Sequence, residues 1–284
     1  VSAAPQRDPV ALQRSGTLRW RGSFGFWAAL GGVMLAVALA GSLIAPYDPA
    51  ELASRSFLGP SADNLLGTDS LGRDILSRVL AGGRTAVVLA ILAILVAEAV
   101  GGLIGLLAGY RGGLVDAVLM RANDVLLAFP ALLLVLVLAA GLGPGTLVLV
   151  IGVAVVNIPG IARLVRAATL GVASAGYVES AVVRGEGTAS ILRREIIPNI
   201  APTVVADAGV RFAGAFLIIA GLNFLGVGVQ PPAADWATMI AENRSYITLQ
   251  PWTVLAPTAC IALFAISVNL VGEAVARRRS RGSA

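Results

Sequence analysis

Long apolar runs alternate with short polar intervals along this chain, and each informs the other. A helix that crosses the hydrocarbon of a bilayer needs about 20 mostly apolar residues. Six segments meet that requirement, at 25–45, 86–109, 117–140, 146–165, 200–226 and 252–275. The pattern predicts an all-α membrane protein with six transmembrane helices. It divides the chain into a polar N-terminal segment (1–24), a first span (25–45), a long polar segment (46–85), a five-helix core (86–275) and a basic tail (276–284). Ala38 and Ala40 before Gly41 imitate a signal-peptide cleavage site, but the apolar run is too long for one.

Arginine sets the expected orientation, because cytoplasmic loops carry the excess of basic residues. With both termini cytoplasmic, fourteen arginines fall inside, including Arg111, Arg163, Arg166, Arg184, Arg193 and Arg194. Five fall outside: Arg55, Arg73, Arg78, Arg84 and Arg244. The longest inner loop then joins the fourth and fifth spans, at about 166–199.

Composition narrows the chemistry. The chain has 284 residues, is 57% hydrophobic and 13% charged, and has a mean hydropathy of +0.85, which makes lipid the expected solvent. Histidine is absent and Cys260 is the sole cysteine, so the usual general base, disulfides and cysteine-based metal sites are excluded. No catalytic residue and no metal ligand set is expected. All 21 basic residues are arginine, so the lysine of a GxxxxGK[ST] nucleotide loop is missing and any ATP must be bound by another subunit. In so apolar a chain the net charge of +5 points to loops and lipid head groups rather than nucleic acid.

The loop ESAVVRGEGTASILRREIIP (179–198) is the most polar stretch of the core. Glu179 to Gly185 suits a helix, Gly185 and Gly187 interrupt it, Ile191 to Ile197 resumes it, and Pro198 is expected to end the second piece. A short helix exposing Ser180 and Ala181 fits insertion into a groove on a soluble partner, and a solvated linker is the other reading. Charges inside the spans, namely Glu98, Asp116, Arg121, Asp124, Asp207, Arg211 and Glu273, should face protein, water or a boundary. Asp207 and Arg211 stand four apart and can pair, as a structural ion pair or as part of a pathway or gate. Asn157, ahead of Pro159 and Gly160, marks an expected bend or a cavity-lining stretch, the bend being preferred.

The spacing Glu179-Ser180-Ala181, Gly185, then Glu195-Ile196-Ile197-Pro198 resembles the EAA loop of permease subunits of bacterial ABC importers. LLGTDSLGRDILSR (65–78), GYRGGLVDAVLMRANDVLLAFP (109–130) and GLNFLGVGVQPPAADWATMIAENRSY (221–246) are similar to the C-type permease of dipeptide and oligopeptide importers. Departures at Ser180, Glu195 and Ile197 leave the Glu and Gly anchors in place. The resemblance implies the type I ABC importer permease fold in a multi-pass protein of the bacterial plasma (inner) membrane. It implies that a coupling helix at 177–190, with Tyr177, Glu179, Ser180, Ala181, Arg184, Gly185, Glu186 and Gly187, docks on an ATPase subunit. It further implies a homologous B-type permease as partner, two ATPase subunits or one fused ATPase that bind ATP and Mg, and an extracytoplasmic substrate-binding protein. Asp69, Arg73 and Asp74, read as wet loop positions, would shape the outer entrance or dock the binding protein, with local caps and salt bridges as the other reading. Trp236 would either dock there too or sit at the head-group level, in an element opened by Pro231 and Pro232. Peptides are the implied cargo, with nickel, glutathione or haem as alternatives. A secondary transporter would show repeated halves and a channel a filter motif, and neither is visible.

Overall fold

The computed structural model describes the backbone of residues 9–52 and 54–280. The outer parts of the N-terminal segment and of the basic tail, and the side chain of Glu273, lie outside the described residues. In chain order the helices are α1 (Pro9–Ala40), α2 (Ile75–Ala81), α3 (Arg84–Arg111), α4 (Gly113–Leu127), α5 (Ala131–Leu142), α6 (Thr146–Ala173), α7 (Gly176–Val183), α8 (Thr188–Ile191), α9 (Ile197–Phe224), α10 (Trp236–Asn243) and α11 (Trp252–Ser280). Among the described residues there is no β-strand, only an isolated bridge between Thr68 and Asp74.

Among the described residues, five stretches are long and apolar enough to cross a membrane: Gly25–Leu43, Ile75–Arg111, Thr146–Ala173, Thr188–Phe224 and Trp252–Gly272. The third predicted span, 117–140, is not one straight helix. It is α4 and α5, set at 87° to each other around Ala128 to Pro130. Apolar character continues across this break, but Phe129 precedes Pro130, and a residue before proline is driven out of the helical region. The N–H groups of Ala128 and Phe129 turn to the carbonyls of Val125 and Leu126, which ends α4.

The most intimate packing joins α3 to α6 along a seam of small residues. A Cβ on Gly101 would lie 2.9 Å from the Ile158 carbonyl oxygen, one on Gly105 2.5 Å from that of Ala162, and one on Gly109 2.8 Å from Thr169 Cβ. Three glycines four apart therefore let the two backbones touch, which is how helices associate where lipid offers no hydrophobic incentive. The aromatic core lies between α9, α10 and α11, where Phe216 and Trp236 stack edge-on against Phe264 with centroids 4.8 and 6.5 Å away.

Helix α6 runs eight residues past its apolar stretch to Ala173. Arg166 makes a bidentate ion pair with Asp116 of α4 at 2.5 Å, and Arg163 bonds Asp124 of α4 at 2.6 Å. These pairs give charged side chains a partner on a neighbouring helix, so the helix need not stop where hydropathy falls. The loop expected at 166–199 is correspondingly shorter, with only Ser174 to Gly187 lying between α6 and α8.

Candidate functional site

At one end of the bundle, α7 crosses between α6 and α8. Its inward face carries Val178 and Ala181, both buried, against a cluster with Ile191, Ile196 and Ile200. Its outward face carries Tyr177, Glu179, Ser180, Val182, Val183 and Arg184, all exposed, with Val183 at 87%. The expected small-residue face is thus split. Ser180 is on the surface, its hydroxyl donating to the Gly176 carbonyl at 2.8 Å, whereas Ala181 is packed inward against the bundle.

The turn after α7 is a Schellman ending. The Gly185 N–H bonds the Val182 carbonyl at 2.9 Å and the Glu186 N–H bonds that of Ala181 at 3.1 Å, with Gly185 at φ +77°. Glycine takes that backbone without a Cβ penalty, and among the described residues nothing crowds the position. Glu186 fastens the turn from the side, accepting from Arg184 at 2.7 Å and from Ser190 at 2.9 Å. These bonds, chiefly the one from Arg184, hold its carboxyl below the usual carboxylate range. Gly187 opens α8 at φ −70°.

Pro198 does not end the second piece. Residues Leu192–Ile196 form a π-helical turn that delivers the chain into α9, with proline in the first turn of that helix. A proline there lacks only an N–H that a helix start does not need, and the widened turn accommodates the ring.

At the other end, the segments on either side of α2 and of α10 interlock. Arg73 Nε donates to Asp69 at 2.7 Å and its Nη2 to Glu242 at 2.7 Å, while Arg78 reaches the same Glu242 oxygen at 3.2 Å. Asp74 caps α2, accepting from the Ser77 N–H at 2.8 Å and from Asn64 at 2.9 Å. Asp69, Arg73 and Asp74 are each only 2% exposed. This corrects the expectation that these positions are wet, and in this conformation they present no side chain to a docking partner. Their charges instead tie together segments far apart in sequence. Trp236 is likewise 1% exposed, its Nε1 donating to the Val79 carbonyl at 2.6 Å above Gly82 and Gly83, where a Cβ would strike the indole. It is neither a head-group anchor nor a docking residue here. Asp235, not a proline, opens α10 by accepting from the N–H groups of Ala237 and Thr238 at 3.0 and 3.1 Å. Burial pushes its carboxyl up, against the opposing pull of those bonds.

Within the bundle, Asp207 and Arg211 form the expected ion pair on α9. The Arg211 guanidinium continues toward α6, where a Cβ on Gly160 would lie 2.5 Å from its Nη1. Gly160 therefore makes room for an arginine. Asn157 is not drawn into this group, since its amide donates to the Val153 carbonyl one turn back at 2.8 Å, and α6 stays helical through Pro159. Sequence reasoning missed the glycine seam, the Gly160 notch, Arg78 and Glu242. Only the seam had a local signal, its four-residue glycine spacing.

Residues 101–281 match the family described as binding-protein-dependent transport system inner membrane component. The di/tripeptide transport system permease protein DppC of Pseudomonas aeruginosa (strain UCBPP-PA14) is 37% identical, covering 95% of this chain and 93% of its own length. The glutathione transport system permease protein GsiD of Pectobacterium atrosepticum is 38% identical, over 85% of this chain and 81% of its own. The probable D,D-dipeptide transport system permease protein DdpC of Escherichia coli K12 is 36% identical, over 86% and 82%. In fold, the chain resembles the inward-facing MetNI methionine ABC transporter, with a TM-score of 0.53 at 16% identity over 71% of this chain and 96% of that one. The resemblance to C-type dipeptide permeases and to the ABC importer permease fold thus holds, and the protein is a non-catalytic, multi-pass component of the inner membrane. The chain belongs to the family of inner membrane components of binding-protein-dependent transport systems, as an ABC importer permease of the DppC type.

Proposed function

We propose that this permease pairs with a homologous B-type permease to form an alternating-access pathway for di- or oligopeptides delivered by an external binding protein. In this reading both termini and α7 face the cytoplasm, in keeping with the fourteen-to-five arginine asymmetry. The supporting observation is α7 itself. It offers Tyr177, Glu179 and Val183 outward on a helix whose end is fixed by the Gly185 turn and whose inner face is packed to the bundle. A rigid, exposed, short helix is suited to a groove on an ATPase subunit, where a mobile linker is not. ATP and Mg are held by the ATPase subunits, closure of which pushes on α7 and opens the pathway outward, and hydrolysis reverses the motion.

Glutathione is the second reading of the cargo, favoured by the 38% identity to a glutathione transport permease. Co-expressing the chain with its transport partners, purifying the assembly and identifying its bound ligand by mass spectrometry tests both. A peptide supports the first reading and glutathione the second. A chain that moves solute in liposomes with neither ATPase nor ATP refutes both. A reporter fused after Ala284 is expected to remain cytoplasmic.

A further inference from the structure

Helices α1 and α9 both pack on α11 but scarcely meet each other, so a groove of about 460 Å³ runs between them with α11 as its floor. Gly32 on the α1 side and Gly209 on the α9 side make the room, since a Cβ on either would find no atom of the described residues within 4 Å. Phe212 and Phe264, edge to face with centroids 6.1 Å apart, line one end. Every lining side chain is apolar except Ser267, whose hydroxyl donates to the Leu263 carbonyl of its own helix at 2.7 Å. Nothing in the groove can therefore hold water. It lies within the apolar stretches Gly25–Leu43, Thr188–Phe224 and Trp252–Gly272, so hydrocarbon stands at its mouth.

Charge marks the end opposite the two phenylalanines. Helix α1 ends, and α11 begins, at the α2–α10 end of the bundle, so the two run antiparallel, with Gly31 against Ser267. Continued the other way, that register sets Arg21 level with Arg277 and Arg19 level with Arg279. Arg277 follows Gly272 by about 8 Å of helix, and Arg21 precedes Ala28 by about 10 Å. Against Arg19, Arg21, Arg277, Arg278 and Arg279 these two helices bring one acid, Glu273. Helix α9 brings no charge before Asp207, which is paired with Arg211. Cations gathered at a membrane surface attract an anionic head group.

We propose that this groove is a binding site for an anionic phospholipid, one acyl chain lying between α1 and α9 and the phosphate among the arginines beyond Ala28 and Gly272. A protein helix fits less well. The groove follows α9 only from Val205 to Phe212, about 10 Å, and a helix 10–12 Å across needs roughly twice the available volume over that length. The lipid would fill the gap between two helices that otherwise share only α11, and so hold α1 to the bundle. The site does not depend on the importer reading.

The test is native mass spectrometry of the full chain released from nanodiscs of equal parts phosphatidylglycerol and phosphatidylcholine. One retained phosphatidylglycerol per chain is expected, in preference to phosphatidylcholine. Gly209→Leu fills the groove from a position with space for its Cβ, so melting should be unchanged while retained lipid of either kind is lost. Gly32→Leu should act alike from the opposite wall, and Gly102→Leu, in open space on α3, should retain the lipid. Replacing Arg277, Arg278 and Arg279 by Gln should leave a lipid in place but lower the preference for phosphatidylglycerol by about fivefold per arginine. A parent chain that retains no lipid, or both kinds equally, overturns the proposal, as does undiminished phosphatidylglycerol in both groove-filling variants. A dimer of the chain that those two variants dissociate also overturns it, because the groove would then be a protein interface. In the assembly with its transport partners the lipid should remain, and its loss on assembly would assign the groove to a partner and refute the lipid site.

Discussion

Gly185→Val isolates the backbone requirement of the α7 turn from every other contact. At φ +77° a β-branched residue is strained, and because a Cβ there meets no atom of the described residues, the strain is conformational only. The chain has two responses. It can bear the strain, at about 1–3 kcal/mol. It can also open the turn and lose the bonds from Gly185 and Glu186 to Val182 and Ala181, at about 0.5–1.5 kcal/mol each. The two routes cost alike, so the turn should be destabilised locally by roughly 1–3 kcal/mol, a factor of about 5 to 150 in its population. Asparagine tolerates this backbone, so Gly185→Asn should lose much less. Hydrogen exchange reads the turn directly, with faster exchange expected at Gly185 and Glu186 in the Val variant and unchanged protection in α3 and α6. Membrane insertion should be normal, and co-purification with ATPase subunits, or the uptake achieved per ATP hydrolysed, should drop. A Val variant with wild-type exchange and wild-type uptake would refute the reasoning, and α7 would then be a solvated linker.

Arg78→Ala leaves Asp69 and Glu242 with one arginine between them at a site where Arg78 is fully buried, and should cost about 3–5 kcal/mol in thermal unfolding. Arg78→Ala combined with Glu242→Ala restores the charge balance and should cost less than the sum of the single changes; strict additivity would argue against the network. Gly105→Leu forces a side chain against the Ala162 carbonyl and should separate α3 from α6, at about 1–3 kcal/mol or more, whereas the same change at Gly102, which has open space around it, should be mild. Asp235 has a raised folded-state pKa, so its protonated form is favoured in the fold and its ionisation costs stability as pH rises through that value. Asp235→Asn keeps the cap and removes the ionisable group, so its melting temperature should exceed that of the parent at neutral pH, with the advantage shrinking as the pH is lowered; a constant difference across pH would contradict the assignment.

The spans were legible because hydropathy reports transfer to lipid, and that signal is local. The α4–α5 elbow was not, since the apolar run crosses it uninterrupted and only Pro130 disturbs the backbone. The Gly185 turn could be read from glycine between two helical patterns. Pro198 misled because proline before a helix and proline after one look alike until the π-helical turn ahead of it is seen. The acidic and basic residues at 69–78 read as wet because their partner, Glu242, stands 169 positions from Arg73. Burial of a charge depends on where its counter-charge arrives in space, which no local pattern records. Ala181 was misjudged for a related reason, as a small residue suits a partner's groove and a tight internal contact equally well.

The glycine seam between α3 and α6 has a mechanical consequence. With carbonyls and Cα atoms in direct register, the pair has little soft side-chain material to compress, and it behaves as a single beam. Helix α6 spans 28 residues, about 42 Å, and leads through Ser174 and Ala175 straight into α7. A tilt of such a beam by about 10° about one end carries the other end about 7 Å. A modest rotation at the α7 end would therefore reach the Gly143–Gly145 turn at the far end undiminished, and the α4–α5 elbow, hinged at Pro130, is the place where the bundle can yield to let it pass.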